Sequence, residues 1–268
     1  MWADEFDGPA LDTSKWTHET DCWGGGNNED QCYVADAKNS FIEAGFLHIK
    51  VIKDSPSGPE GGGSGNTGVV TKGHSSARLR TLGQGDFKYG RMEARLKLPF
   101  GQGLWPAFWM LPTDNAYGSW AASGEIDILE AVNLNPTNEV FGTLHYGGEW
   151  PENTSTGSSF TPSSNAWEQF HVYAVEWEAE EVRWFVDETH YQTQNDWFSA
   201  NADYPAPFNQ RFHILLNVAV GGSWPGPPDV TTTFPQEMQV DYVRVYECSL
   251  DSATGHGCGT TDPLVQPL

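Results

Sequence analysis

The sequence predicts an all-β fold, either a sandwich or a barrel, built as one domain. Runs of residues alternate apolar and polar side chains with a period of two, and Gly and Pro separate these runs at short intervals. No stretch offers a long helical period with capping residues at its ends. A chain of 268 residues can bury one large core, and all-β sandwiches of this size do not need to divide.

The predicted strands follow from the alternation itself. In the first of them Leu47, Ile49 and Val51 share one face, as the inward side chains of a half-buried strand do. The predicted strands are Phe46–Ile52, Arg91–Leu98, His171–Trp177, Val182–Val186, His213–Val220 and Met238–Tyr246. The best candidate for a short helix is Gln194–Ala200. Many spaced strands with so little helix indicate a sandwich or a barrel.

Other segments lack the alternation and are predicted to lie outside the strands. Asp54–Gly68 is rich in Gly, Ser and Pro and should be a flexible surface loop. Gly147–Ala166 also has a loop-like composition, and its Asn153-Thr154-Ser155 is a glycan acceptor if the source glycosylates. The polar, strand-poor C-terminal residues resemble the start of a linker. We therefore predict a main domain over residues 1–247 and a tail over residues 248–268.

The four cysteines fall in two close pairs. Cys22 with Cys32 and Cys248 with Cys258 would form local disulfides, although four cysteines allow three pairings. Zinc binding is the alternative, but neither pair has the short spacing of a zinc knuckle or a nearby histidine cluster, apart from His256 in the tail. Disulfides form in oxidising compartments. Because the chain starts without a signal segment, we expect a secreted protein whose export signal has been removed.

The charge balance argues against two classes of partner. The chain has 36 acidic and 14 basic residues, a formal charge of -22. Such a chain repels phosphate backbones and anionic bilayers, so we expect no nucleic-acid or membrane partner. No apolar run approaches the ~20 residues that span a bilayer. The acidity is otherwise typical of a solvated surface.

Tryptophan is present in excess. The chain contains 12 tryptophans, and several, such as Trp23, Trp105 and Trp224, stand beside Gly, Pro or Asn in predicted loops. Flat aromatic faces suit ligands with an apolar plane and polar edges, sugar rings among them. Each single tryptophan is explained as well by packing. Their number, taken together, favours a ligand-binding groove.

The most informative run is the Glu-Ile-Asp-Ile-Leu-Glu that begins at Glu125. As a helix, its acids would form no compact site and its apolar residues no single stripe. As a strand, Glu125 and Asp127 share one face. A regular strand would turn Glu130 into the core, whereas one extra residue, a β-bulge at Ile128 or Leu129, returns it to the acidic face. A bulged strand therefore presents three acids on one side.

Three carboxylates on one strand face repel one another, and enzymes use such crowding. Like charges a few ångströms apart raise the pKa of one group, which stays protonated while its neighbour is ionised. A protonated acid beside a carboxylate is the pair that glycosidic cleavage requires. Two alternatives stay open at this point, a solvated acidic edge strand and a calcium site.

The same residues resemble a known family. The run from Glu125 to Glu130 is similar to the E-x-D-x-x-E signature of glycoside hydrolase family 16, in the bulged form typical of laminarinases; lichenases and xyloglucan-active relatives carry E-x-D-x-E. The resemblance covers about residues 4–247. The matching segments are Asp4–Gly8, Gly26–Glu29, Tyr89–Leu98, Gly103–Met110, Leu144–Tyr146, Asn217–Gly222 and Asp241–Tyr246.

The resemblance implies a two-sheet β-sandwich of jelly-roll type with a concave substrate cleft. It also implies endo-acting hydrolysis of β-1,3-glucosidic bonds in laminarin-type β-glucans, with retention and without a cofactor for catalysis. Glu125 is similar to the nucleophile and Glu130 to the general acid/base. Asp127 is similar to the acid between them that tunes the pair.

Substrate contacts are implied in the same way. The implied substrate-binding residues are Asn28, Arg78, Trp105, Trp109, His145 and Trp224. Trp105 and Trp109 match sugar-stacking positions, and His145 matches a histidine that neighbours the acid/base. The other three match contacts at the rim of the cleft. For His145 the alternative is a structural histidine whose hydrogen bonds are satisfied.

The family often carries a structural calcium ion, and the resemblance implies ligands at Gly45 and Asp241, with others from the N-terminal segment. Two features depart from the family pattern. The pair Cys22–Cys32 flanks the loop that carries Asn28, and Gly61–Gly63 forms an unusual loop. Both should border one end of the cleft, where they bear on the preferred length of the substrate.

Rival functions come from several classes. The closest rival is a mixed-linkage β-1,3-1,4-glucanase; agar or carrageenan cleavage is further away, and the shortage of Lys and Arg counts against a sulfated substrate. A non-catalytic β-glucan-binding module and a purely structural calcium-binding sandwich are the alternatives outside the enzymes. In every case we expect a monomer.

Overall fold

The computed structural model describes residues 1–61, 68–259, 265 and 267–268. In these ranges the chain forms twenty strands and no helix, so the predicted all-β class is confirmed. A helix long and apolar enough to cross a membrane is accordingly absent from the described residues.

The strands are short and closely spaced, as the frequent Gly and Pro predict. In chain order they are β1 (Trp2–Asp4), β2 (Thr17–Glu19), β3 (Gln31–Tyr33), β4 (Ser40–Glu43), β5 (Phe46–Lys53), β6 (Ser57–Pro59), β7 (Val69–Thr71), β8 (His74–Ser76), β9 (Arg78–Arg80), β10 (Asp86–Phe87), β11 (Gly90–Lys97), β12 (Leu104–Pro112), β13 (Glu125–Glu130), β14 (Val140–Gly147), β15 (Asn153–Phe160), β16 (His171–Trp177), β17 (Val182–Val186), β18 (Thr189–Gln194), β19 (Phe212–Val220) and β20 (Gln236–Tyr246).

Two large sheets form the sandwich. The site sheet has the strand order β15-β14-β13-β12-β19-β9-β2, with β10 beside β19. The back sheet has the order β18-β17-β16-β11-β20-β5-β8-β3, with β1 beside β20 and β4 beside β5. A separate hairpin joins β6 and β7. Strands far apart in sequence lie side by side, such as β12 and β19, because the chain crosses between the sheets as in a jelly roll.

The core lies between the two sheets. The back sheet contributes the indoles of Trp177 and Trp184, and the site sheet contributes Phe108 and Phe212; all are fully buried. Alternation places these side chains inward and their neighbours outward. In β19 every residue is buried, because this strand lies in the middle of the site sheet and its outer face is covered as well.

Each predicted strand is confirmed, and the observed bounds differ from the predicted ones by at most two residues. The alternation succeeds here because these strands have one face in the core and are long enough to show the period. The predicted helix at Gln194–Ala200 is wrong: β18 ends at Gln194 and no helix follows. Trp197 is buried against Phe208 and donates to the carbonyl of Pro205, so tertiary contacts determine this segment.

The loop prediction for Gly147–Ala166 is wrong in its centre. β15 occupies Asn153–Phe160 and pairs with β14 at every position. It is an edge strand rich in Thr and Ser with much of its surface exposed, so it lacks the apolar alternation that would reveal it. In Asp54–Gly68, β6 forms a strand where a loop was predicted. Residues 62–67, with most of the Gly61–Gly63 loop, lie outside the described residues.

Both predicted disulfides are confirmed, Cys22 with Cys32 and Cys248 with Cys258. The described part of the tail folds back onto the sandwich. The carbonyl of Thr254 accepts the backbone N–H of Ala179 at 2.8 Å. The division at residue 247 into a domain and a tail stays a prediction.

Candidate active site

The acidic run forms β13, a central strand that carries a bulge. On the β12 side the register steps from Leu129 directly to Asp127, which leaves Ile128 without a partner. The same extra residue stands against β14, between Asp127 and Glu130. The predicted bulge is therefore confirmed. The solvated edge strand is wrong, because β12 and β14 pair with both sides of β13.

The bulge turns all three acids to the outer face of the site sheet. Their cross-strand partners on β14 are His145 for Glu125, Thr143 for Asp127 and Phe141 for Glu130. Ile128 and Leu129 are buried in the core, whereas Glu130 is partly exposed. The strand thus changes the face of its side chains once, at the bulge, and keeps its apolar residues inside.

Glu125 lies between an indole and an imidazole. The Trp120 Nε1–H donates to Oε2 at 2.8 Å, and His145 Nε2 lies 3.8 Å from Oε1. Burial and the charge of Asp127 raise the pKa of Glu125 to about 8, while His145 and Trp120 act in the opposite direction. These two contacts favour the ionised form, as a nucleophile requires.

Glu130 accepts a hydrogen bond from Trp105 Nε1 at 2.8 Å. Burial raises its pKa well above the ordinary value, and the charges of Asp127 and Glu125 raise it further. Two carboxylates therefore repel the charge of Glu130 and favour its protonated form. The contacts of Glu125 with Trp120 and His145 favour its ionised form, and the charges around Glu130 favour its protonated form, which are the forms that a nucleophile and an acid need.

Asp127 and His145 form a close pair between the two glutamates. Asp127 is 2 % exposed, and its Oδ2 lies 3.2 Å from His145 Nε2, a contact that is short but poorly aligned as a hydrogen bond. Burial lowers the pKa of His145, but its contact with Asp127 and the charges of all three acids outweigh burial and raise the pKa to about 9. At neutral pH the imidazolium thus balances the charge of Asp127.

The cluster also has the spacing of a metal site. Glu125, Asp127 and His145 each offer a ligand atom within 4.8 Å of the others. Calcium prefers oxygen ligands, and one of the three groups here is an imidazole. The donor set therefore fits carboxylates that face an imidazolium better than it fits calcium.

The implied substrate-binding residues at the Glu130 end lie together. Trp224 is exposed and packs edge-on against Trp105, with ring centroids 5.2 Å apart, and against Phe141 at 5.1 Å. Asn28 is exposed and donates through Nδ2 to Ser223 Oγ at 3.2 Å. An aromatic and amide rim therefore stands beside Glu130.

Trp109 and Arg78 are more enclosed. The guanidinium of Arg78 lies 4.7 Å from the centroid of the Trp109 ring and covers one of its faces, so a sugar has only the other face for stacking. Arg78 is also ion-paired with Glu19, and Trp109 Nε1 donates to Asn217 Oδ1 at 2.7 Å. Both side chains line the site sheet, but Arg78 is held by protein partners and is not a free rim contact.

The two implied calcium ligands lie elsewhere. Gly45 forms the turn between β4 and β5, and Asp241 lies on β20 with its carboxylate bound by Arg95. Glu5, in the N-terminal segment, accepts hydrogen bonds from Nε and Nη2 of Arg244. Among the described residues, the spacing of a metal-binding cluster of His, Cys, Asp or Glu occurs at Glu125 and not here. A calcium ion at Asp241 would bind a carboxylate that already accepts a hydrogen bond from Arg95.

Several side chains at the site were not predicted from the sequence. Trp120 hydrogen-bonds Glu125 from the loop before β13; its place five residues before the acid, in a Gly- and Ser-rich loop, is a signal that was available. Trp184 reaches the backbone of Asp127 from the opposite sheet, with Nε1 donating to the carbonyl at 2.8 Å. No spacing in the sequence indicates that contact.

Glycosidic cleavage needs a protonated acid and a carboxylate that reach the same bond, and the two glutamates of β13 supply that pair, so the site defines a glycoside hydrolase. The comparison with protein families agrees and is more specific. The chain belongs to the glycosyl hydrolases family 16, whose family model matches residues 13–244. The family that the sequence motifs resemble is therefore confirmed.

Named relatives lie within this family. The glucan endo-1,3-beta-glucosidase A1 of Niallia circulans is 41% identical over 263 residues, which are 92% of this chain and 37% of that protein. The beta-glucanase of Rhodothermus marinus is 41% identical over 256 residues, covering 92% of this chain and 84% of that protein. The X-ray structure of the laminarinase from Rhodothermus marinus superposes with a TM-score of 0.79 at 40% identity, covering 92% of this chain and 96% of that one. The chain thus spans little more than a third of the first relative and most of the second.

Proposed function

We propose that this chain hydrolyses internal β-1,3-glucosidic bonds of laminarin-type β-glucans with retention of configuration. The observation that carries the proposal is the bulge in β13, which brings Glu125 and Glu130 to one open face with Asp127 between them. Relatives named as endo-1,3-beta-glucosidase and laminarinase support the choice of substrate. Catalysis of this kind needs acids and water and no cofactor.

Each glutamate has one role in each half of the reaction. Glu130, protonated, donates its proton to the glycosidic oxygen while the Glu125 carboxylate attacks the anomeric carbon; the C–O bond breaks and the leaving sugar departs as an alcohol. A covalent glycosyl ester remains on Glu125. Glu130, now a carboxylate, takes a proton from water, whose oxygen attacks the same carbon and frees Glu125. Two inversions leave the product in the β configuration.

Asp127 and His145 support this exchange. The charge of Asp127 raises the pKa of both glutamates, and the imidazolium of His145 offsets part of that charge beside Glu125. The imidazolium therefore favours the ionised form of Glu125, which the nucleophile needs. His145 acts on the charge of the nucleophile and is more than a structural histidine.

Exposed tryptophans at both ends of the acid row support endo action. Trp224 stands beside Glu130, and Trp120 with Trp150 stands beside Glu125 and His145, at centroid distances of 6.5 Å between the two indoles and 5.7 Å from Trp120 to His145. Trp150 is 72% exposed. A polysaccharide that continues past the cleaved bond in both directions can stack on both groups.

Product analysis tests the proposal. Wild type should release oligosaccharides from laminarin, and NMR taken early in the reaction should show the β anomer first. Glu125→Ser and Glu130→Ala should each abolish release, while circular dichroism and melting show a folded protein. An active double variant, or a first product in the α configuration, contradicts the assignment.

Parallel digestion of lichenan and agarose separates the rival substrates. Mixed-linkage cleavage is the second candidate among the enzymes, since a relative named endo-1,3-1,4-beta-glycanase is 35% identical over 178 residues. A non-catalytic β-glucan-binding module would bind laminarin without releasing sugar; the complete set of acids argues against it. If wild type binds laminarin and releases no reducing sugar, the binding module is correct and the enzyme is not.

Three further properties belong to the proposal. Secretion is supported by the two disulfides, which form in oxidising compartments. We expect a monomer whose partner is the polysaccharide, and light scattering measures the oligomeric state. A structural calcium ion at Gly45 and Asp241 should raise the melting temperature in a calcium titration and be lost in Asp241→Asn; no response to calcium or chelator would leave the pair of Asp241 and Arg95 as the native arrangement.

A further inference from the structure

The bulge that turns Glu130 outward is held from inside the sandwich. The Trp184 Nε1–H donates to the backbone carbonyl of Asp127 at 2.8 Å, across the interior from β17 of the back sheet. Asp127 directly precedes the extra residue Ile128. We propose that Trp184 is a positioning residue, which locks the bulge and so fixes the direction of the acid/base Glu130. The inference rests on the proposed function.

A bulge needs such a partner. The extra residue interrupts the ladder of hydrogen bonds, and a buried backbone carbonyl without a donor costs on the order of 1–3 kcal/mol. Without that donor, competing registers of β13 lie closer in energy. A register change of one residue would turn Glu130 toward the core, because side chains alternate between the two faces. The indole therefore stabilises the register that the chemistry requires.

The neighbouring strand leaves room for the indole. Gly142 on β14 lies between Phe141, the partner of Glu130, and Thr143, the partner of Asp127. A Cβ at position 142 would stand 2.6 Å from Trp184 Nε1 and 2.6 Å from Tyr191 Oη, far inside van der Waals contact. Glycine within a strand weakens it, so its presence here calls for a reason. The indole that bonds the bulge supplies that reason.

The hydrogen bond from Trp184 reaches the backbone between Glu125 and Glu130, so its loss should affect the two glutamates differently. Glu125 precedes the bulge and Glu130 follows it, so the register of Glu130 against Phe141 depends on the extra residue, whereas that of Glu125 against His145 does not. Loosening the bulge should therefore misplace the acid more than the nucleophile. Protonation by the acid matters for a sugar leaving group and matters little for an activated phenol, which leaves as the anion.

The test uses Trp184→Phe, which keeps a buried aromatic ring and removes the N–H donor. On laminarin, kcat should fall about 10- to 100-fold with little change in KM, because a misplacement near 1 Å costs up to about 100-fold. On the 2,4-dinitrophenyl β-glycoside of laminaribiose, the rate of glycosyl-enzyme formation should fall less than about 3-fold. A general loss of structure would lower both rates together.

Trp177→Phe is the matched control. Trp177 is as deeply buried in the same sheet, and its Nε1 also donates to a backbone carbonyl, that of Phe208 at 3.1 Å, which lies outside β13. It should lose a similar amount of stability without the difference between the two substrates. Gly142→Ala is the second variant. Because its methyl group displaces the indole, it should repeat the Trp184→Phe pattern, with a large loss of rate on laminarin and a small one on the activated glycoside.

The outcomes separate the inference from the function on which it rests. If wild type cleaves neither laminarin nor the activated glycoside, the proposed function fails. If wild type is active but Trp184→Phe loses both rates equally, or behaves as Trp177→Phe does, Trp184 has no positioning role. A Gly142→Ala variant that keeps full laminarin activity overturns the inference even if Trp184→Phe does not fold.

Discussion

Replacing Glu125 with glutamine should stabilise the fold increasingly as the pH rises, while it abolishes turnover. In the fold, burial and the charge of Asp127 raise the pKa of Glu125 from its ordinary 4.5 to about 8. A carboxyl group whose pKa is raised by folding contributes its full stability to the fold below the pKa that it has in the unfolded chain. That stability is lost as the pH rises from 4.5 to about 8. Glutamine has no charge to bury and does not titrate.

The size of the effect follows from linkage. The native protein loses about 2 kcal/mol at pH 6 and up to about 5 kcal/mol above pH 8 through this group, as upper values. For a chain of this length 1 kcal/mol shifts the melting temperature by roughly 2 °C. The melting temperature of Glu125→Gln should therefore equal that of wild type at pH 4, exceed it by about 4 °C at pH 6 and exceed it by up to about 10 °C at pH 8. Loss of the attraction to His145 reduces these gaps.

Melting curves of both proteins between pH 4 and pH 8.5, at constant ionic strength, measure the gap. Glu188→Gln is the control, because Glu188 is exposed in the turn between β17 and β18 and should show the same melting temperature as wild type at every pH. The reasoning is refuted if the gap for Glu125→Gln is constant across the range or shrinks as the pH rises. Loss of activity in Glu125→Gln would not by itself support the reasoning about stability.

Three further predictions follow from the site. Trp120→Phe removes the indole donor that favours ionised Glu125, so the acid limb of kcat/KM should move to higher pH; an unchanged limb contradicts the role given to the 2.8 Å bond. Trp224→Ala should raise KM for laminarin about 10-fold with kcat nearly constant, because it removes stacking and no reacting group; a pure loss of kcat contradicts this. Replacing Cys22 and Cys32 together by Ser should cost about 2–3 kcal/mol and lower the melting temperature by several degrees; equal melting in oxidised and reduced wild type contradicts this.

The central strand could be predicted because its sequence allows few solutions. Glu125 and Asp127 alternate with buried Ile residues, but Glu130 falls out of phase, and an acid in the core would be very costly. One extra residue resolves the conflict, so a bulge follows from the pattern. The edge strand β15 offered no such conflict, because its Ser and Thr fit a loop and a strand equally well.

What the sequence did not predict depends on contacts across the sandwich. Arg78 appears in the sequence as a free cation near the cleft, yet Glu19 on β2 pairs with it and Trp109 packs beneath it. The partner of a side chain is fixed by strand order, and strand order in a jelly roll is set by crossovers that local alternation does not record. Trp184 is the extreme case, since it contacts the backbone of a residue 57 positions away.

The site and the fold make opposite demands on the same residues. Three acids on one strand, a bulge in the ladder and a glycine opposite it each weaken β13 or its pairing with β14. The opposing contacts come from fixed donors: Trp120 on Glu125, Trp105 on Glu130, and Trp184 on the carbonyl between them. Each indole supplies a single N–H and a large buried or stacked surface, and so holds a carboxylate or carbonyl without adding a competing charge. Part of the tryptophan excess thus orients the acids, and the sugar-binding faces at Trp224 and Trp150 account for another part.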